Sequence, residues 1–305
     1  VLSSVIYQVS GIIDSSLYSN ILAKLGYDAE LISSLYGVYS SKYKMLVNVP
    51  MAMATALGLA VVPGISSAML RGDREEIHSK IETTVKFCMI IAIPACVGLS
   101  VLGGPIMQLL YPALSSQLAG PLLSTLGIAT VSVCMMLVCN SILQAYGFVN
   151  LPVIVMLAGG VVKIVLNYNV VVLPQVGIYG APLGNICCFA LCLILDLIVM
   201  SRVIPGRPKY IPLFAKPAAA AAVMGLGAWA VHGLLAKLLT SSAVNEAGET
   251  VYTLSKMGNA VSTLAAILVA VVIYGVLVIV LRAITKEDLS LMPKGEKIAQ
   301  ILHLS

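Results

Sequence analysis

The sequence predicts an all-α integral membrane protein with about eight transmembrane helices. Composition is the first reason. The chain is 59% hydrophobic and 10% charged, with a mean hydropathy of +1.00, whereas soluble domains carry roughly 25% charged residues. Patterning is the second. Eight apolar stretches are each long enough to match the ~20 residues that cross a bilayer, and nearly all the charge lies between them. The stretches are apolar all round, unlike the one-sided helices of soluble cores. None alternates with period two for long enough to suggest strands.

In chain order the expected spans are 1–25, 44–69, 87–110, 121–146, 152–173, 177–201, 215–239 and 257–281. The first begins at Val1 with no charged region or small-residue cleavage site ahead of it, so the chain is expected to be a fragment starting inside a helix. The second holds Asn48, Pro50 and Pro63, and the third holds Pro94. Proline removes a helix hydrogen bond, which makes these four residues candidate gating or hinge positions. Between those spans, Asp73 is placed to cap a short helix. Ile77, Ile81 and Val85 recur every four residues with Glu75, Glu76, Lys80 and Glu82 largely on other faces, the pattern of an amphipathic helix lying on the inner leaflet.

Gly159 and Gly160 in the fifth span suit close helix packing. The segment Pro205-Gly206-Arg207-Pro208 breaks the chain after the sixth span. The last two spans are rich in Ala, Val and Leu and nearly lack polar residues. The expected organisation is therefore a six-helix transport lobe over 1–202, a basic linker over 203–214, two appended helices over 215–281 and a tail over 282–305. Trp229 is an interface anchor or a packing residue.

Lys and Arg set the orientation. Arg71, Arg74, Lys80, Lys86, Arg202, Arg207, Lys209, Lys216, Arg282, Lys286, Lys294 and Lys297 fall on one side. Only Lys24, Lys42, Lys44, Lys237 and Lys256 fall on the other. The positive-inside rule places the richer side, and both chain ends, in the cytoplasm. The net charge of +5 is thus a topology signal; with no basic patch interleaved with aromatics, nucleic-acid binding is not expected.

Polar residues inside spans are costly and point to function. Asp14 lies mid-helix with Ser10 and Tyr18 a turn away; Lys163 is central in its span with Asn167 a turn on; Asn185 lies in the next span. Two readings remain open: a transport pathway or ion site, or a buried Asp–Lys pair and interhelical hydrogen bonds that hold the bundle. Asp196, nearer a span end, is expected to be hydrated at the interface. The seven cysteines all sit in apolar spans without ligand spacing, and His78, His232 and His303 are isolated, so no metal site, disulfide framework or catalytic constellation is expected.

Ordered short motifs then become specific. They run Ile12-Ile13-Asp14; Leu35-Tyr36-Gly37 with Pro50; Pro63-Gly64-Ile65-Ser66; Ser141-Ile142-Leu143-Gln144-Ala145-Tyr146-Gly147; Lys163-x-x-x-Asn167-Tyr168; and Gly177-Ile178-Tyr179-Gly180-Ala181. The tail adds Ile284-Thr285-Lys286-Glu287-Asp288-Leu289 and Met292-Pro293-Lys294-Gly295. In this the chain resembles the C-terminal part of the stage V sporulation protein B-like branch of polysaccharide and lipid II flippases, in the multidrug/oligosaccharidyl-lipid/polysaccharide exporter superfamily. The resemblance implies the second of two six-helix lobes plus two appended helices, with the N-terminal lobe of the same protein missing. It implies a bacterial inner-membrane flippase of polyprenyl-diphosphate-linked cell-wall or polysaccharide precursors, working by alternating access without a cofactor and with membrane lipid around it. It also implies sodium or proton coupling, with Asp14 and Asn167 matching a monovalent-cation site. The second carboxylate of that site is replaced by Val171, and Asn185 is a substitute oxygen. Lys163 would lie near substrate phosphate. The alternatives are a drug/cation antiporter of the same superfamily and a membrane-embedded enzyme acting on polyprenyl-linked sugars.

The charge asymmetry is tested by single cysteines in a cysteine-free background. A membrane-impermeant thiol reagent applied to intact cells should label position 115 and spare position 207; labelling of 207 alone reverses the assigned orientation.

Overall fold

The computed structural model describes residues 43–111, 116–170, 180–204, 210–244 and 250–283, with isolated residues between 19 and 37. The first expected span, with Asp14, and the tail beyond 283 lie outside the described residues. Nine helices occur among those described: α1 (Tyr43–Arg71), α2 (Arg74–Val101), α3 (Gly103–Leu110), α4 (Ser116–Gly127), α5 (Ala129–Ala145), α6 (Leu151–Val170), α7 (Gly180–Val203), α8 (Tyr210–Leu239) and α9 (Lys256–Val280). Among the described residues seven helical runs are long and apolar enough to cross a membrane, α4 and α5 contributing one of them between Leu123 and Ala145. Large apolar side chains such as Leu59, Leu157, Val161, Leu268 and Val272 are exposed along them, as hydrocarbon-facing positions should be.

The chain divides into two compact units that do not follow chain order. One comprises residues 1–92 and 128–213, the other 93–127 and 214–305. One internal boundary falls between Ala92 and Ile93, next to Pro94, and another between Gly127 and Ile128.

In the first unit α1 packs on α5, and α7 packs on both α5 and α6. Val47, Ala54, Val61 and Ala68 of α1 are buried at seven-residue spacing, with Ile65 between, a seam of coiled-coil type. Gly58 lies so close to Ser141 of α5 that a methyl group there would collide with its hydroxyl. Pro50 and Pro63 leave α1 helical throughout, and Pro94 leaves α2 so. Asn48 and Pro63 are exposed, Pro50 is buried and Pro94 half-buried.

The segment expected to be a separate amphipathic helix is instead the first turns of α2. Asp73 does cap it, accepting the Glu76 N–H at 3.0 Å. Ile77, Ile81 and Val85, however, are buried in the protein, where the sequence reading placed them on the leaflet. Neither Gly nor Pro separates Arg74 from Pro94, so the helix continues, and its isoleucine stripe joins Cys88, Met89 and Ala92 as one buried face. At its start Glu76 pairs with Arg71 and, at 3.1 Å, with Lys80.

The third expected span is split. The helix stops at Val101 and resumes at Gly103, because Pro105 is tolerated only in a first turn. In the second unit Gly103, Gly120 and Gly127 sit against Ser124, Gly104 and Ser100, a small-residue seam that lets α4 approach α3 and the end of α2. Met224 and Ala228 of α8 pack with Ala266 and Ala270 of α9 around Leu102. The α9 C-terminus closes with Arg282 at φ 48°, its N–H bonded to Ile279 O and that of Ala283 to Val278 O. This is a Schellman end with arginine where glycine is usual, and Lys216 Nζ donates to the Arg282 carbonyl at 3.3 Å.

The described residues are helical as expected, apart from one short hairpin. Strands β1 (Thr240–Val244) and β2 (Thr250–Leu254) pair antiparallel with Thr240 opposite Leu254 and Val244 opposite Thr250. Thr250-Val251-Tyr252-Thr253 has the β-branched and aromatic composition of strands, but five residues are too few to stand out as a period in the sequence.

Candidate functional site

The α6–α7 pair is held in antiparallel register by three close approaches. Cys192 Sγ donates to Val155 O at 3.6 Å. Gly159 lies against Cys188 and Cys192, and a methyl group at Gly184 would collide with the Asn167 amide. Glycine on one helix or the other therefore sets the spacing. The seam is apolar at one end, where Val155, Cys188 and Cys192 pack with Met136. It turns polar towards the other.

The polar end carries three of the residues picked out by sequence. Lys163 and Asn167, four apart on α6, share a face and are only 6% and 5% exposed. Asn185 follows Gly184 on α7 and is also buried. Asn167 Oδ1 is sealed from solvent with no hydrogen-bond partner among the described residues. It is thus a buried oxygen able to ligate a hard cation. No cluster of three His, Cys, Asp or Glu side chains occurs among the described residues; Asp14 lies outside them.

Two features escaped the sequence reading. Asp196, expected to be hydrated, is fully buried in α7. Of the two readings of Trp229, its 68% exposure sets aside the packing residue. A buried polar cluster also lies around α9: Asn259 Nδ2 donates to Pro105 O at 3.2 Å, Ser262 Oγ to Asn259 O at 3.1 Å, and Thr263 Oγ1 lies 3.5 Å from Asn259 Oδ1. His232 of α8 hydrogen-bonds Asn259 as well. These bonds tie α9 to α3 and α8. The signal was Asn259, Ser262 and Thr263 on one helical face, masked by the apolar average of that span.

Apolar spans enclosing a line of buried polar and basic side chains define a multi-pass membrane protein of transporter architecture. Known proteins narrow the class. A family model described as "Lipid II flippase MurJ" matches residues 1–246, and the chain belongs to that family. The chain is 26% identical over 192 residues to the lipid II flippase MurJ of Bacillus subtilis (strain 168), covering 62% of this chain and 35% of that protein. It is 24% identical over 272 residues to stage V sporulation protein B of the same organism, covering 89% and 48%. A solved lipid II flippase MurJ in an inward closed conformation superposes with a TM-score of 0.64 at 18% identity, over 90% of this chain and 52% of that one, which shows the fold. The chain thus spans about half or less of the length of these relatives.

Gly184→Val should drive α6 from α7 and cost about 1–3 kcal/mol through overpacking, read as a lower thermal midpoint in detergent. Gly160→Val, at a position with open space, should leave the midpoint unchanged. Equal midpoints for both variants would remove the close-packing account.

Proposed function

We propose that this chain forms the second transport lobe and the two appended helices of a flippase that carries polyprenyl-diphosphate-linked cell-wall or polysaccharide precursors across a bacterial inner membrane by alternating access. The observation that carries the reading is Lys163, buried beside Asn167 inside a span. A cation at mid-membrane costs about 2.5–3.5 kcal/mol on insertion scales and is retained where it meets a wet cavity or an anionic ligand. The family's description as lipid II flippases supports a lipid-linked substrate as that ligand.

The lobe is assigned to residues 1–202, the linker to 203–214, the pair to 215–281 and the tail to 282–305. Lys163 would face substrate phosphate. Asp14, Asn167 and Asn185 would hold a monovalent coupling cation, whose charge the Asp14 carboxylate would balance. Pro94, one residue past a boundary between compact units, is the best placed of the hinge candidates; Asn48, Pro50 and Pro63 are secondary. Both ends of the chain are assigned to the cytoplasm on the basic-loop asymmetry. A further N-terminal lobe completes the carrier, in keeping with the share of its relatives' length that this chain spans.

The test uses the full-length carrier in cells depleted of their own flippase, with accumulation of lipid-linked precursor as the readout. Lys163→Ala and Asp14→Asn should each abolish rescue while membrane levels stay near normal. If the pair is structural, each single change strands a buried charge and lowers folded yield. The double variant would then regain both yield and rescue, and that recovery would overturn the transport roles.

A further inference from the structure

A second buried charge lies on α7, away from the Lys163–Asn167 face. Asp196 is 0% exposed, and neither carboxyl oxygen has a hydrogen-bond partner among the described residues. Its neighbours are thiols: Cys139 of α5, and Cys192 one turn earlier on α7. Cys139 in turn neighbours Cys88 of α2. Thiols are weak donors and leave a carboxylate unsolvated.

The other ionisable groups on the surrounding helices lie elsewhere. On α5 the only titratable groups are Cys134 and Cys139. On α6 they are Lys163 and Tyr168. The register sets Val155 against Cys192 and Asn167 against Gly184. Lys163 is therefore about 12 Å beyond Val155 along α6, in the direction away from Asp196. On α2 the charged residues are confined to 74–86, ahead of Cys88. On α7 itself Arg202 is exposed. No ion pair among the described residues includes Asp196.

A bare carboxylate in such a place is costly, whereas a neutral acid forgoes only ordinary hydrogen bonds. A buried acid this poorly supported is weak as a structural element and calls for another explanation. We propose that Asp196 is a proton-binding site: its carboxyl holds a proton while α7 is seated on α5, and releases it to water when that seam opens. The exchange is complete in itself, the O–H bond breaking, the electron pair staying on the carboxylate and the proton passing to water. Proton binding stands independently of the carrier function proposed above; only its coupling to a transport cycle rests on that function.

Infrared spectroscopy of the protein in lipid nanodiscs at neutral pH tests this. The difference between wild type and Asp196→Asn should contain the carbonyl stretch of a protonated carboxyl, and Asp196→Glu should keep a shifted band. Carbon-13 labelling of aspartate in the unsubstituted protein should move the same band and Asp14→Asn should leave it in place, which keeps the test decisive if the Asp196 variant fails to fold. A difference spectrum holding only ionised carboxylate bands, or a protonated band that ignores aspartate labelling, would overturn the proposal.

Discussion

Hydrocarbon offers no hydrogen bonds, and the rest of this structure follows from that. Every backbone N–H and C=O within the membrane must be paired inside the protein, which selects helices for the seven long apolar runs among the described residues. Side chains obey the same rule. Thr55 donates to Met51 O, Thr84 to Lys80 O, Ser141 to Leu137 O and Asn169 to Val165 O, each to the carbonyl one turn back. With apolar residues equally content in lipid, helices associate where small residues allow contact, and Gly58, Gly159 and Gly184 mark such places.

Against that background the polar groups fall into two kinds. Asn259, Ser262, Thr263 and His232 close a network among themselves and the Pro105 carbonyl. They fasten helices together. Asn167 Oδ1 and both Asp196 oxygens are sealed without partners among the described residues. A group held at such cost and left unpaired is poised for something that comes and goes, whether a cation, a proton or water. The same reasoning thus yields a structural tie in one unit and functional candidates in the other.

How much was legible in the sequence depended on the length scale of each signal. Twenty-residue apolar runs averaged over local detail, so the spans and the buried face of Lys163, Asn167 and Asn185 could be read directly. Events of one or two residues could not. The helix break at Leu102 and the fusion of the 74–86 segment with the following span turn on where Pro105 and Pro94 fall relative to a helix start. Asp196 was misplaced because distance from a span end was taken for hydration. That carboxyl is buried instead near Cys139 of α5, a neighbour 57 positions away that no local pattern reveals. The polar cluster around Asn259 was hidden by the apolar average of its helix.

The central claim is that the Lys163–Asn167 face meets water during function. In a cysteine-free carrier, Asn167→Cys should react with a small, charged thiol reagent, and lipid-linked substrate should change the rate. Leu157→Cys, on an outward face of the same helix, should stay inert. Equal inertness at both positions, with and without substrate, would contradict the account and leave the polar face as bundle packing.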